Sequence, residues 1–166
     1  MPPLDLSIRS SVAGVPVARL RRQLLAAHQI LDPPLRELSV AFVGLAAMAT
    51  VHQKFLRIPT PTDVLTFELD HDNRGRVISG EIVVCIPVAI RSARVRGIDP
   101  WHETLLYALH GMLHLCGFDD RTDRGFAAMH RREDDILKRL GIGPVFHADA
   151  PMRRRRRPLP RDRRTP

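Results

Sequence analysis

The chain has 166 residues, of which 44% are hydrophobic, with two cysteines and a formal net charge of +8. One domain of that length can bury a core without staples, and two cysteines exclude a disulfide framework, so Cys85 and Cys116 are read as free thiols in a reducing cytosol. The charge is unevenly placed: residues 151–166 hold eight arginines and one aspartate, +7, which leaves +1 for the rest, so overall basicity is no evidence that the domain binds nucleic acid.

In chain order, residues 4–9 alternate apolar and polar and predict a strand. Residues 16–30 set Val17, Leu20, Leu24, Leu25 and Ile30 at helical spacing, with Pro16 suited to the first turn. The arginines of this helix, Arg19, Arg21 and Arg22, are read first as a solvated face and second as an RNA contact. Asp32-Pro33-Pro34 breaks the helix, and a strand is expected over 37–43. A second helix over 44–55 carries His52, expected to be structural.

A proline-rich turn then leads into a strand ending near Phe67, and residues 70–75 form a polar hairpin connection. The next strand, 77–85, ends in a nearly continuous apolar run, as a strand covered on both faces would. Glu81 is its one ionisable residue, read either as an exposed glutamate or as a proton-transfer group near a cleft. A helix follows over 87–96. Asp99 and Pro100 supply the cap and first position of another, and Thr122 or Asp123 caps a last helix carrying Phe126, Met129, Ile136, Leu137 and Leu140. The mixed charges of residues 131–139 read as its solvated face. The domain is expected over 1–147, with 148–166 a disordered Arg/Pro-rich tail.

The chemistry concentrates in residues 107–120. His110 and His114 are four apart, which on a helix places both imidazoles on one face. Leu105, Leu106, Leu109, Met112, Leu113 and Leu115 make that helix apolar nearly all round, so the rings are buried and need partners. Gly117 suits a left-handed stop, after which the chain can bring Asp120 back. Two nitrogens and one oxygen with a position left for water make a catalytic zinc set, whereas structural sites are closed by four protein ligands. Two core histidines satisfied by backbone carbonyls are the alternative. Cys116, two residues past His114, would point to another side of the helix.

The run His-Gly-Met-Leu-His-Leu-Cys-Gly-Phe-Asp-Asp at 110–120 resembles the signature of the YbeY family of rRNA maturation factors, His-Gly-x-Leu-His-Leu-x-Gly-Tyr-Asp-His. It departs from it at Phe118 and at Asp120, which stands where the family has its third histidine ligand. Residues 61–67, Pro-Thr-Asp-Val-Leu-Thr-Phe, resemble a second family block, Pro-Thr-Asp-Val-Leu-Ser-Phe, and Gly80-Glu81-Ile82 resembles a third. The family carries a cleft arginine just before the second block. Without a gap that position falls on Leu56, and its neighbour Arg57 is the residue carried over.

The order strand, helix, strand, helix, two strands, three helices gives a single α+β domain, a small mixed sheet of about four strands packed with about five helices. That agrees with the zincin-like architecture the resemblance implies. The resemblance also implies a metal-dependent endoribonuclease acting in 16S rRNA 3′-end maturation and ribosome quality control. On that reading His110, His114 and Asp120 hold one Zn2+ per chain, or another divalent metal given the harder carboxylate ligand. Asp119 orients a histidine or the water, and Arg57 offsets charge on the scissile phosphate. Partners would be rRNA and the small ribosomal subunit or its proteins, with Arg153, Arg154, Arg155, Arg156 and Arg157 adding salt-sensitive RNA contact. A ribosome- or RNA-binding assembly factor with a structural metal is the rival from another class. A metalloprotease is disfavoured, because the general-base glutamate of His-Glu-x-x-His is Gly111 here. With no apolar run near 18 residues and no signal-type N-terminus, the protein is expected in the cytoplasm, with no membrane partner.

Overall fold

A computed structural model describes residues 3–145. The elements are β1 (Asp5–Ser10), α1 (Val17–Leu31), β2 (Glu37–Val43), α2 (Leu45–Leu56), β3 (Val64–His71), β4 (Val77–Cys85), α3 (Ile86–Arg96), α4 (Pro100–Leu115) and α5 (Asp123–Arg139). The expected boundary at 147 and the arginine run at 153–157 lie outside the described residues.

Alternation along the strands sorts their side chains onto two faces. Leu6, Leu38, Val40, Phe42, Ile82 and Val84 share one face and pack against Leu20 and Leu24 of α1, Leu105, Leu109, Met112 and Leu113 of α4, and Met129, Ile136 and Leu137 of α5. Ala41, Leu65, Val83 and Cys85 share the other, where Met48 of α2 covers them. The sheet order is β1-β2-β4-β3, with β1, β2 and β4 parallel and β3 antiparallel to β4. The apolar end of β4 is therefore central and covered on both faces, as its composition requires. The α+β class, the four strands and the five helices among the described residues all match expectation.

The register corrects one reading. Glu81 aligns with Ser39 and Phe67, on the face opposite the one that carries Ile82 and α4. Its carboxylate pairs with Arg9 at 2.5 Å, so it is no proton-transfer group beside the histidines.

The helix α4 lies close to the sheet because Gly111 faces it. A Cβ at Gly111 would stand 3.0 Å from both Ile82 Cγ2 and Thr66 Oγ1, a separation that leaves no room for a longer side chain. The same helix begins as its sequence suggests. Asp99 caps it by accepting from Trp101 N at 2.7 Å, with Pro100 in the first turn. Its buried Glu103 accepts from Ser92 Oγ at 2.8 Å and Arg96 at 2.6 Å, which ties α4 to α3. His28 donates to the Leu35 carbonyl at 2.8 Å and His52 to that of Thr60 at 2.6 Å, so both of these buried imidazoles are satisfied by backbone.

Candidate metal centre

His110 and His114 project from the last two turns of α4. Gly117 follows at φ 90°, a conformation that costs a side chain about 1–2 kcal/mol and glycine nothing. The chain reverses there, and Phe118 N closes onto the Leu113 carbonyl at 3.0 Å. That reversal carries Asp120 back to the two rings. One oxygen of its carboxylate lies 3.6 Å from His110 Nε2 and the other 3.8 Å from His114 Nε2. The two Nε2 atoms are 3.0 Å apart. Donors bound tetrahedrally at zinc distances lie about 3.4 Å from one another, so the three side chains are already gathered at a spacing suited to an ion.

The orientation of each ring is decided at its other nitrogen. His114 Nδ1 is 3.0 Å from the Phe118 carbonyl, which can only accept, so the ring proton sits on Nδ1. His110 Nδ1 is 2.7 Å from Glu133 Oε1, again a donor to an acceptor. In their neutral forms both rings therefore turn an Nε2 lone pair towards the same point, beside an anionic carboxylate. Lone pairs 3.0 Å apart repel unless a cation lies between them, and the donor set, two imidazoles and a carboxylate, suits zinc. Core histidines satisfied by carbonyls, the alternative reading, would not converge on a carboxylate in this way.

Glu133, on α5, is fully buried. Its Oε1 accepts from His110 and its Oε2 from His130 Nδ1 at 2.6 Å. Burial pushes its pKa up, but the two imidazole bonds and charges outweigh that and hold it below the usual carboxylate value. For His110 burial opposes the charge, while Glu133, Asp120 and Asp63 prevail and raise its pKa above the ordinary histidine value. Phe126 packs edge-on against His130 with ring centres 4.1 Å apart, so the clamp is walled by an aromatic.

Glu133 replaces two sequence expectations. The charged stretch 131–139 is not a uniformly solvated face, because Glu133 is four residues from both Met129 and Leu137 and so lies on the buried stripe of α5. That spacing was the available signal. Asp119 makes no hydrogen bond to either histidine among the described residues: its carboxylate is exposed and turned to Arg121, at 2.6 Å. The loop is held by other means. Thr122 caps α5 by accepting from Gly125 N at 3.0 Å, and a Cβ at Gly125 would stand 2.1 Å from the Asp119 carbonyl oxygen. Only glycine lets α5 come so near the segment that presents Asp120.

Arg57 caps α2 in the left-handed conformation, φ 59°, with its side chain exposed and in no ion pair among the described residues. No hydrogen bond joins it to the histidine cluster. Cys116 lies outside the cluster, and burial pushes its thiol up to about 12, so it stays protonated and is a poor ligand.

Opposite pKa shifts at Glu133 and His110 set a pH signature. The raised value at His110 contributes stability that is complete below the unfolded pKa and disappears as pH rises through the folded one. The lowered value at Glu133 contributes stability present above its unfolded pKa and lost as pH falls through the folded one. The metal-free protein thus draws most from this pair in mildly acidic solution, where both groups are charged. Zinc needs His110 neutral. The zinc-induced rise in Tm is therefore expected to be larger at pH 8 than at pH 5.5, and equal shifts by calorimetry would contradict the assignment of His110 as a ligand.

A mixed four-stranded sheet bearing a buried helix with two convergent histidines and a loop aspartate defines a small α+β domain whose His110–His114–Asp120 cluster could hold a metal ion. The family model described as Endoribonuclease YbeY matches residues 12–141, and the chain belongs to that family. It is 36% identical over 141 residues to "Endoribonuclease YbeY" of Kineococcus radiotolerans, covering 78% of this chain and 80% of the relative. It is 40% identical over 98 residues to the protein of that name from Protochlamydia amoebophila, covering 58% of this chain and 65% of the relative. The solution structure of TM1509 from Thermotoga maritima superposes with a TM-score of 0.59 at 25% identity, over 89% of this chain and 99% of that one.

Proposed function

We propose that this protein is a metal-dependent endoribonuclease that hydrolyses RNA phosphodiester bonds at the His110–His114–Asp120 centre, with one zinc ion per chain. The observation that carries the reading is the pair of Nε2 atoms 3.0 Å apart, each with its Nδ1 proton committed elsewhere, facing the Asp120 carboxylate. When bound, the metal would supply an acidified water and a Lewis acid for a phosphoryl oxygen. The chain's own contribution is to hold three donors in register. Glu133 and the Phe118 carbonyl fix the two rings, and the turn at Gly117 presents Asp120.

About a third of the His114 and Asp120 side-chain surface is exposed, which supports a site reached by substrate over the closed, structural metal of an assembly factor. No protease base can take its usual place either, since Gly111 is packed against Ile82 and Thr66. The family's name and the signature at 110–120 support RNA as substrate, and we place the activity in small-subunit rRNA 3′-end maturation and ribosome quality control. The small subunit or its proteins are then the partners, with Arg153–Arg157 adding salt-sensitive affinity. Arg57, exposed and in no ion pair among the described residues, suits a phosphate contact.

The test is cleavage of a defined RNA spanning the small-subunit rRNA 3′ end by chelator-stripped protein, before and after zinc is restored. Activity should vanish on stripping and return with the metal. Cleavage that survives stripping undiminished would overturn the proposal.

A further inference from the structure

Residues 61–67 carry three polar side chains, Thr62, Asp63 and Thr66. The first two are engaged in the turn that opens β3. The Asp63 carboxylate accepts from Val64 N at 2.9 Å and from Thr62 Oγ1 at 3.1 Å, and its carbonyl accepts from Cys85 N at 2.8 Å. Thr66 is left over. Among the described residues its hydroxyl makes no hydrogen bond, and Gln23 Oε1 is the one buried side-chain oxygen or nitrogen without a partner, so the half-buried Thr66 keeps its oxygen open to solvent.

Its place is set by the ladder and by α4. Thr66 stands opposite Ile82 in the β3–β4 pairing, on the face that α4 covers. Its Oγ1 lies 3.0 Å from the point where a Cβ at Gly111 would be. Gly111 follows His110 directly and precedes His114 by three residues, so on a helix that turns about 100° per residue it lies about 60° around the axis from His114. The hydroxyl therefore flanks the turn of α4 that carries both imidazoles. Because β3 is an edge strand and the two histidine side chains are 21% and 31% exposed, helix and strand meet at the open rim of the centre.

We propose that Thr66 is a further catalytic residue, whose hydroxyl donates a hydrogen bond to a non-bridging oxygen of the scissile phosphodiester as negative charge builds there. The inference rests on the endoribonuclease reading and deepens it. Proteases with two helical histidines place a general-base glutamate at the Gly111 position, an acceptor; the Thr66 hydroxyl stands against that position and keeps its proton at neutral pH, so it offers a donor instead. A phosphodiester presents oxygens that only accept. A donor held in advance between strand and helix stabilises charge on them without reorganising, and the β-branched side chain has little freedom to swing away. No bond to threonine forms, and its proton stays on Oγ1 throughout.

The test is cleavage of a defined RNA spanning the small-subunit rRNA 3′ end by the zinc-loaded full chain, with zinc content and Tm measured on the same preparations. Thr66→Val keeps the branched shape that suits a strand and loses only the donor. It is expected to lower kcat and kcat/KM together by about 100-fold, the lower end of what one such donor supplies, with zinc content and Tm unchanged. Thr66→Ala, a second way to remove the hydroxyl, should match it, and Thr66→Ser, which keeps the donor, should recover most of the rate. If Thr66→Val and Thr66→Ala both hold zinc and turn over within about twofold of the parent, the role of Thr66 is wrong and the nuclease reading stands. A loss of rate that follows a loss of zinc, or a rise in KM with kcat unchanged, also overturns it, because the hydroxyl would then serve the ion or ground-state binding. A zinc-loaded parent that cleaves no RNA overturns both.

Discussion

His114→Ala is expected to yield a folded protein that retains no zinc. Elemental analysis after dialysis should give about one zinc per chain for the parent and none for the variant, since two remaining donors cannot complete a site normally built from at least three protein ligands. Among the described residues the ring's one hydrogen bond to the backbone is to the Phe118 carbonyl, at 3.0 Å, and its side chain is about a third exposed. Removing it therefore costs the fold little, and the Phe118 carbonyl can turn to water. With zinc at a thousand times its Kd the parent gains about 4 kcal/mol, read as a rise in Tm that the variant should lack. RNA cleavage should vanish in the same preparation. A variant that still carries stoichiometric zinc would remove His114 from the ligand set. A parent that takes up no zinc even when supplied would mean that Asp120 does not serve as the third ligand, and an RNA-binding assembly factor would become the better description.

The residues that could be placed from sequence are those whose roles follow from local spacing. His110 and His114 share a face because a helix repeats every 3.6 residues. Asp99, Pro100 and Gly117 mark helix ends because caps and left-handed turns demand few residue types, and all three stand where their chemistry places them. What local spacing does not carry is partnership across the fold. Glu81 could be read towards or away from the cleft until the register of β4 against β2 and β3 showed its face. Asp119, next to Asp120 in sequence, turns to Arg121 instead, because consecutive residues after a helix stop point in different directions. Arg57 is a third case. It sits at a helix end whose backbone favours glycine, a conformation no pattern of charges reveals.

Glu133 was the largest gap, and the sequence contained half of its signal. A carboxylate spaced four residues from Met129 and from Leu137 belongs to the apolar stripe of α5, and a buried carboxylate requires hydrogen-bonding partners. Which partners could not be read from α5 alone, because His110 lies 23 residues away on another helix.

Glu133→Ala should consequently weaken zinc binding about 10- to 100-fold, the usual cost of removing the carboxylate that orients a ligating imidazole. Three losses act together. His110 Nδ1 loses its acceptor at 2.7 Å, so the tautomer that points the Nε2 lone pair at the metal is no longer enforced. The ring is free to rotate within the space the carboxylate leaves. A negative charge buried behind the ligand disappears, and with it part of the attraction for a cation. Opposing these, His110 loses a reason to be protonated, which favours the metal, a gain that shrinks as pH rises and fewer protons compete.

Glu133→Gln is predicted to lose less. Its amide oxygen can still accept from one ring, and the amide hydrogens oblige the other to present a lone pair at Nδ1. Loss is therefore partial if His110 keeps the oxygen and His130 changes tautomer. The stability of the metal-free protein provides a second readout. Removing one partner of a buried, charged pair costs about 3–5 kcal/mol, and the penalty should be greatest below the raised pKa of His110, where the ring would be left charged and unpaired, and smaller at pH 8, where it can lose its proton. Zinc affinity measured by competition with a chelating dye decides the matter. A value for Glu133→Ala within twofold of the parent at pH 8 would reduce Glu133 to a packing role and leave His110 oriented by the helix alone.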